Sequence, residues 1–262
     1  MLLKISVPFL RFSNKPKNIS KVSTLSYQSL SSQSQQKLLD NIYSIYQESS
    51  LTLTKVAFRD AFFNTEAVQL CVFYNKTKEL VGFINVSTLS IKDVKGKEHA
   101  VFCAGVFFKT GYKGGKLAVL FGFSQFLKFK FRHMATPISY VTLVSNPAVY
   151  TLLAENAYKL YPVADRPTPE YVKHIFAETA NARKISIINQ EKSLALSQAT
   201  PKNISQLERS KKLTSSPFAL FFNKMNPHYS KGEAMLVFIE LNATAFIVGL
   251  SKCIKNLVVG KR

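Results

Sequence analysis

The sequence predicts a mixed α+β protein, a mainly antiparallel sheet flanked by helices, followed by a basic C-terminal extension. Three observations predict it. Val68 to Tyr74, Leu80 to Leu89 and Ala100 to Phe108 are β-rich runs joined by polar turns of hairpin length, which makes a three-strand meander. Gln35 to Glu48 carries Leu38, Leu39, Ile42, Ile45 and Tyr46 at helical spacing, so a helix with one apolar stripe precedes those strands. Behind the third strand, an apolar helix, a further strand and a further helix follow in turn.

Residues 1–21 form a basic N-terminal segment. The first acid of the chain is Asp40, and Lys4, Arg11, Lys15, Lys17, Lys21 and Lys37 stand before it among many serines. That pattern suits an organelle import signal, but it lacks the dense arginines of one. After the first amphipathic helix, Thr54 to Phe63 predicts a second, short one. Asn75 to Glu79 and Lys92 to Glu98 are the turns of the meander. Leu117 to Phe131 is the long apolar helix, stopped by Thr136-Pro137, and Ile138 to Val144 is the next strand. Asn146-Pro147 then suits the N-cap and first position of a helix from Ala148 to Leu160, which ends before Pro162. These elements, with a helix over Tyr171 to Arg183, define a domain over residues 22–180.

Residues 181–262 read as a separate extension. Ile185 to Ser216 is polar and predicts a flexible arm. Ala234 to Leu250 is apolar enough to suggest a membrane span, yet Glu240, Asn242 and Thr244 sit at its centre, and each is costly in lipid. A strand, Met235 to Leu241, followed by a helix, Ala243 to Leu257, fits better, and no transmembrane segment is expected.

Composition narrows the partners. The 262 residues carry a net charge of +20, which favours polyanionic company: nucleic acid, an acidic membrane surface or a phosphorylated cofactor. Cys71, Cys103 and Cys253 are odd in number and far apart, so they predict reduced core thiols and a cytoplasmic location. No His, Cys or carboxylate spacing predicts a metal site.

The window from His99 to Glu155 concentrates the chemistry. It contains no Asp or Glu between Glu98 and Glu155, and six cations: Lys109, Lys113, Lys116, Lys128, Lys130 and Arg132. A strand there runs into Tyr112-Lys113-Gly114-Gly115-Lys116 and then a helix. Glycines allow close approach of a ligand, the first N–H groups of a helix point outward, and lysines add charge, so the turn predicts an anion site.

The order of elements over residues 35–161 resembles the GNAT superfamily of acyl-CoA-dependent N-acetyltransferases, and Gly111-Tyr112-Lys113-Gly114-Gly115-Lys116-Leu117-Ala118 resembles its cofactor-binding turn. Ile138 to Val144 with Asn146-Pro147-Ala148 is similar to the family's later strand and Asn-initiated helix. The resemblance implies acetyl-CoA as co-substrate. Its pantetheine arm would pair with Ala104, Val106 and Phe108, and its phosphates would take bonds from Tyr112, Lys113, Gly114, Gly115, Lys116 and Ala118, with Asn146 flanking the acyl end. It also implies a base and an acid. Glu98 is the carboxylate nearest the strand where histone-type members carry their base. Leu153 stands where members carry a tyrosine, and Tyr150, one turn earlier, is the candidate acid. Acceptor loops would lie in Leu25 to Phe63 and Val163 to Lys231.

Two function classes follow. One is transfer of an acetyl group from acetyl-CoA to a primary amine by direct attack. The other is a non-catalytic basic protein that keeps the same shell to bind nucleic acid or an acidic membrane surface.

Overall fold

The computed structural model describes residues 18–49, 53–65, 67–114, 117–198 and 216–242. Its strands are β1 (Lys21–Ser26), β2 (Ala67–Tyr74), β3 (Leu80–Lys92), β4 (Glu98–Phe108), β5 (Ile138–Val144), β6 (Leu160–Tyr161), β7 (Ile187–Asn189), β8 (Leu194–Leu196) and β9 (Glu233–Glu240). The helices are α1 (Ser32–Ser49), α2 (Lys55–Phe62), α3 (Leu117–Arg132), α4 (Pro147–Asn156), α5 (Glu170–Ala182) and α6 (Pro217–Met225). All the strands join one mixed, mainly antiparallel sheet of order β1-β2-β3-β4-β5-β9-β8-β7, with β6 also pairing β9. The predicted fold class is the observed one.

Local chemistry builds the meander. Buried Asn75 closes the β2–β3 turn, its Oδ1 accepting from the N–H groups of Thr77 and Glu79 at 3.0 and 2.9 Å. Asp93 does the same between β3 and β4, accepting from Lys95 and Lys97 at 2.8 and 2.9 Å, with Gly96 at φ +73° completing the turn.

The sheet consists of two antiparallel ribbons. In the first, β4 pairs along its whole length with β3, from Lys92↔Glu98 to Gly82↔Phe108. In the second, β5 pairs with β9 from Ser139↔Glu240 to Val144↔Met235. Only Ala100↔Ile138, Val101↔Ser139 and Phe102↔Tyr140 join them, in parallel. Each strand follows its own antiparallel partner beyond that seam, so β4 and β5 part company.

Helices cover both faces. On one, α1 and α2 pack over β2 and the ends of β3 and β4 through Ile42, Tyr46, Phe58 and Phe62, while α5 packs over the seam and β9 through Val172, Ile175 and Phe176. On the other, α3 packs by Leu117 and Phe121 against Phe73, Ile84 and Phe102, and α4 and α6 pack by Tyr150 and Phe222 against β9.

The boundary at residue 180 is corrected by this topology. β9 lies between β5 and β8, inside the sheet, so β7, β8 and β9 complete the fold and are no appendage. The polar stretch from Ile185 likewise holds the β7–β8 hairpin, because Leu194 and Ala195 bury themselves beside Met235 and Ala234. The expected helix over 148–160 ends at Asn156, since Leu160 and Tyr161 are drawn into pairing with Ile239 and Phe238. The basic N-terminal segment up to residue 17, the arm over 199–215 and the expected helix over 243–257 lie outside the described residues. No helix among the described residues is long and apolar enough to cross a membrane.

Candidate active site

The fork between β4 and β5 is the feature of the sheet with chemical consequences. Lys109 donates its N–H to Val81 at 2.9 Å, so 109/81 is a hydrogen-bonded pair of the β3–β4 ladder. In an antiparallel ladder such pairs alternate with pairs that face away. By the observed register, odd-numbered residues of β4 therefore turn their N–H and C=O toward β3, and even-numbered ones turn theirs toward β5. Ala100 fits, donating its N–H to Pro137 at 2.9 Å on the β5 side. Past Phe102 the partner strand has left, and the main-chain groups of Ala104, Val106 and Phe108 face the opening. These are the three strand residues that the sequence predicts for pantetheine. Val106 is 50% exposed there.

The turn after β4 closes one end of the fork. Gly111 has φ +87°, a conformation other residues adopt with strain, and Tyr112 donates its N–H to Lys109 at 3.1 Å. Leu117 donates its N–H to Gly114 at 3.1 Å. Both amides are thus used by the turn itself, which removes them from the expected phosphate cradle. Lys113 is exposed, Ala118 is half-buried, and Gly115 and Lys116 lie outside the described residues. Gly114 has a packing reason for being glycine: a Cβ there would come within 2.6 Å of the Phe108 ring. The same ring lies on Gly82, where a Cβ would come within 2.1 Å, and against Phe73 at 4.9 Å between centroids.

The charge picture also changes in one place. Lys109 is neutralised from outside its own window, by Glu79 at 2.5 Å and Glu48 at 3.7 Å. Lys130 caps the end of α3, donating to Met134 and Thr136 carbonyls at 3.1 and 2.8 Å.

Neither predicted catalytic side chain reaches the fork. Glu98 is exposed at the first position of β4, opposite Lys92, and accepts from Ser90 Oγ at 3.1 Å. It stands five residues before the first unpaired position, about 16 Å away along a strand. Tyr150 is wholly buried, and its hydroxyl donates to the Pro162 carbonyl at 2.6 Å. Burial pushes that phenol well above its ordinary pKa, and Asp165 adds to the rise. Its place is in the packing between α4 and α6, where Phe221 and Phe222 lie 5.8 and 5.7 Å away. Asn146 is spent as the α4 N-cap, accepting from Ala148 N–H at 2.7 Å.

Other groups stand at the fork instead. Tyr140 is paired with Phe102 at the last position of the seam, and burial raises its pKa against a hydrogen bond from Thr142. Cys103 is the first β4 residue past the seam and is buried. Desolvation raises its thiol, and the Arg183 guanidinium works against the rise. His99, on the opposite side of β4 from Glu98 as alternation predicts, stands before the seam and away from the fork, buried and within 3.0 Å of Ser139 Oγ, and burial lowers its pKa. Cys71 is buried too, its thiol pushed up to about 12, whereas Cys253 lies outside the described residues. Sequence reasoning missed Tyr140 and Arg183 because nothing in their neighbourhoods marks them: one is an aromatic in an apolar strand, the other a cation behind a helix.

No protein-family model matches the chain, and no curated protein matches it. Among solved structures it is similar to a GNAT family N-acetyltransferase from Escherichia coli in complex with CoA, at 14% identity and TM-score 0.35, covering 53% of this chain and 69% of that one. An acetyltransferase from Trypanosoma brucei matches at 13% identity and TM-score 0.35, over 57% of this chain and 100% of that one. A ribosomal-protein-alanine N-acetyltransferase from Brucella melitensis biovar Abortus matches at 13% identity and TM-score 0.36, over 57% and 97%. Likenesses at these scores decide nothing about the chemistry of the site.

Proposed function

We propose that the protein is an acyl-CoA-dependent N-acyltransferase that moves an acetyl group from acetyl-CoA to a primary amine. The observation that carries this reading is the fork: three residues of β4, Ala104, Val106 and Phe108, whose main-chain groups face an opening with no strand among the described residues opposite them. An extended amide-bearing arm such as pantetheine can lie there as a substitute strand, its amides bonding to alternate main-chain groups. The lysine-bearing turn before α3 then meets the phosphate end, with Lys113 free to swing toward it.

In this reading the amine attacks the thioester carbon directly, the carbonyl oxygen takes the negative charge, and an N–H of β4 at the mouth of the fork stabilises it. As the intermediate collapses, the attacking nitrogen gives up its proton to solvent water and the thiolate is expelled, which needs a proton. Tyr140, paired with Phe102 where the fork opens, supplies it, a phenol being protonated at neutral pH.

Two tests follow. Calorimetry with acetyl-CoA should give saturable heat, and none at millimolar ligand removes the proposal. Tyr140→Phe should lower kcat by about 100-fold with KM nearly unchanged, within the usual range for a lost general acid. Tyr150→Phe should leave kcat alone and lower stability by about 1–2 kcal/mol, because the buried Pro162 carbonyl loses its donor. The opposite pattern, in thiol release and thermal melts, would return the acid role to Tyr150.

A further inference from the structure

A second cavity lies on the α1/α2 side of the sheet. It is a cleft of about 260 Å³, walled by Leu53, Val56 and Ala57 on one side and by Arg183, Lys184 and Gln198 on the other. That volume suits a molecule of about amino-acid size, below the range of drug-sized sites.

Arg183 is its unusual wall. The side chain is 6% exposed, lies with its guanidinium carbon 5.3 Å from the Phe62 ring centroid, and donates from Nε and Nη2 to the Ala61 carbonyl at 3.2 and 3.0 Å. No carboxylate among the described residues pairs with it. A guanidinium has five N–H donors, so after its bonds to Ala61 and its hydrogen bond toward Cys103 it keeps donors for a ligand, and a buried cation without an anion is costly to maintain. Gln198, 8% exposed, also lines the cleft, and its Oε1 is buried with no hydrogen-bond partner among the described residues. The one carboxylate of the wall, Asp60, is already matched by Arg59 at 3.0 Å and Lys184 at 3.6 Å. The cleft is therefore positive overall.

Its Arg183 wall links it to β4 beside the fork. Beside Cys103, itself part of the cluster under α5, lies a strip of Asn85, Ser87 and Gly105 on paired positions of β3 and β4. The Arg183 guanidinium acts on the Cys103 thiol, the first residue past the seam. Asn85 Oδ1 is buried and unpartnered in the same strip, so near Gly105 that a Cβ there would lie 2.6 Å from it.

Resting on the transferase reading, we propose that this cleft holds the amine acceptor, and that Arg183 selects a small acceptor bearing a carboxylate, an amino acid or its close analogue. A carboxylate fits the planar fork of a guanidinium, and the isosteric carboxamide does not carry the charge.

The experiment compares a pool of common amino acids with the matching pool of amino-acid amides on the full chain, in two readouts: thiol release from acetyl-CoA, and melting temperature without acetyl-CoA. The proposal expects the acid pool to be acetylated about tenfold or more faster and to raise the melting temperature where the amide pool does not. Arg183→Lys should keep part of that preference, and Arg183→Gln should abolish it while leaving the heat of acetyl-CoA binding intact. Equal response to the two pools, or response to neither, overturns the proposal in protein that binds acetyl-CoA. Absence of acetyl-CoA binding overturns the transferase reading instead. The melting shift then still decides for or against a carboxylate site, even where Arg183→Gln fails to fold.

Discussion

A chain ending at residue 180 should fail to fold, giving no cooperative thermal transition and a far-ultraviolet circular dichroism spectrum without native sheet. The reason is β9. Met235, Leu236, Val237 and Phe238 are each at most 1% exposed, and side chains of this kind stabilise by about 1.5–3 kcal/mol each when buried. Together they rival the whole stability of a typical domain, about 5–15 kcal/mol. Truncation would also bare the edge of β5 along six residue pairs, and remove Phe222, which seals Tyr150 on the other face. A cooperative melt from the truncated chain would mean that residues 22–180 are a domain after all.

How much of this was legible in the chain depended on how local the signal was. Strands and helices whose apolar period is complete within one segment, such as Leu80 to Lys92 or Ser32 to Ser49, were readable within a few residues, because each buries a face against neighbours close in sequence. The N-cap at Asn146 was readable for the same reason. β1 and the β7–β8 hairpin were not. Lys21 to Ser26 is half polar and edges the sheet, and Leu194 to Leu196 is short, so each owes its conformation to a partner far away, β2 and β9. Ser216-Pro217, at the end of the polar stretch, carries the start signal of α6, with Ser216 accepting from Ala219 N–H at 3.1 Å. At the site, the family resemblance implied Ala104, Val106 and Phe108, and the register of β4 turns the main-chain groups of all three to one side. Placing side chains from a shared motif did worse, since Tyr150 depends on the chain returning at Pro162, and Arg183 on α5 crossing to α2.

That set of three invites a substitution with opposite expectations at adjacent positions. Val106→Pro removes an N–H that faces the fork and bonds to no strand, and proline is tolerated where a strand's N–H is not used by the ladder. The sheet should survive with a melting temperature only slightly lowered. Acetyl-CoA binding should not. Loss of one main-chain donor is worth about 0.5–1.5 kcal/mol, and the proline ring also intrudes on the space of the pantetheine arm, so affinity should fall about tenfold or more by calorimetry. Phe107→Pro, one residue on, removes an N–H that the alternation turns toward β3 and empties a ring stacked 5.1 Å from Phe83 and edge-on 5.6 Å from Phe62. That variant should unfold. If Val106→Pro binds acetyl-CoA as tightly as the parent while remaining folded, the ligand does not use this edge of β4, and the fork is a gap in the sheet without a role in cofactor binding.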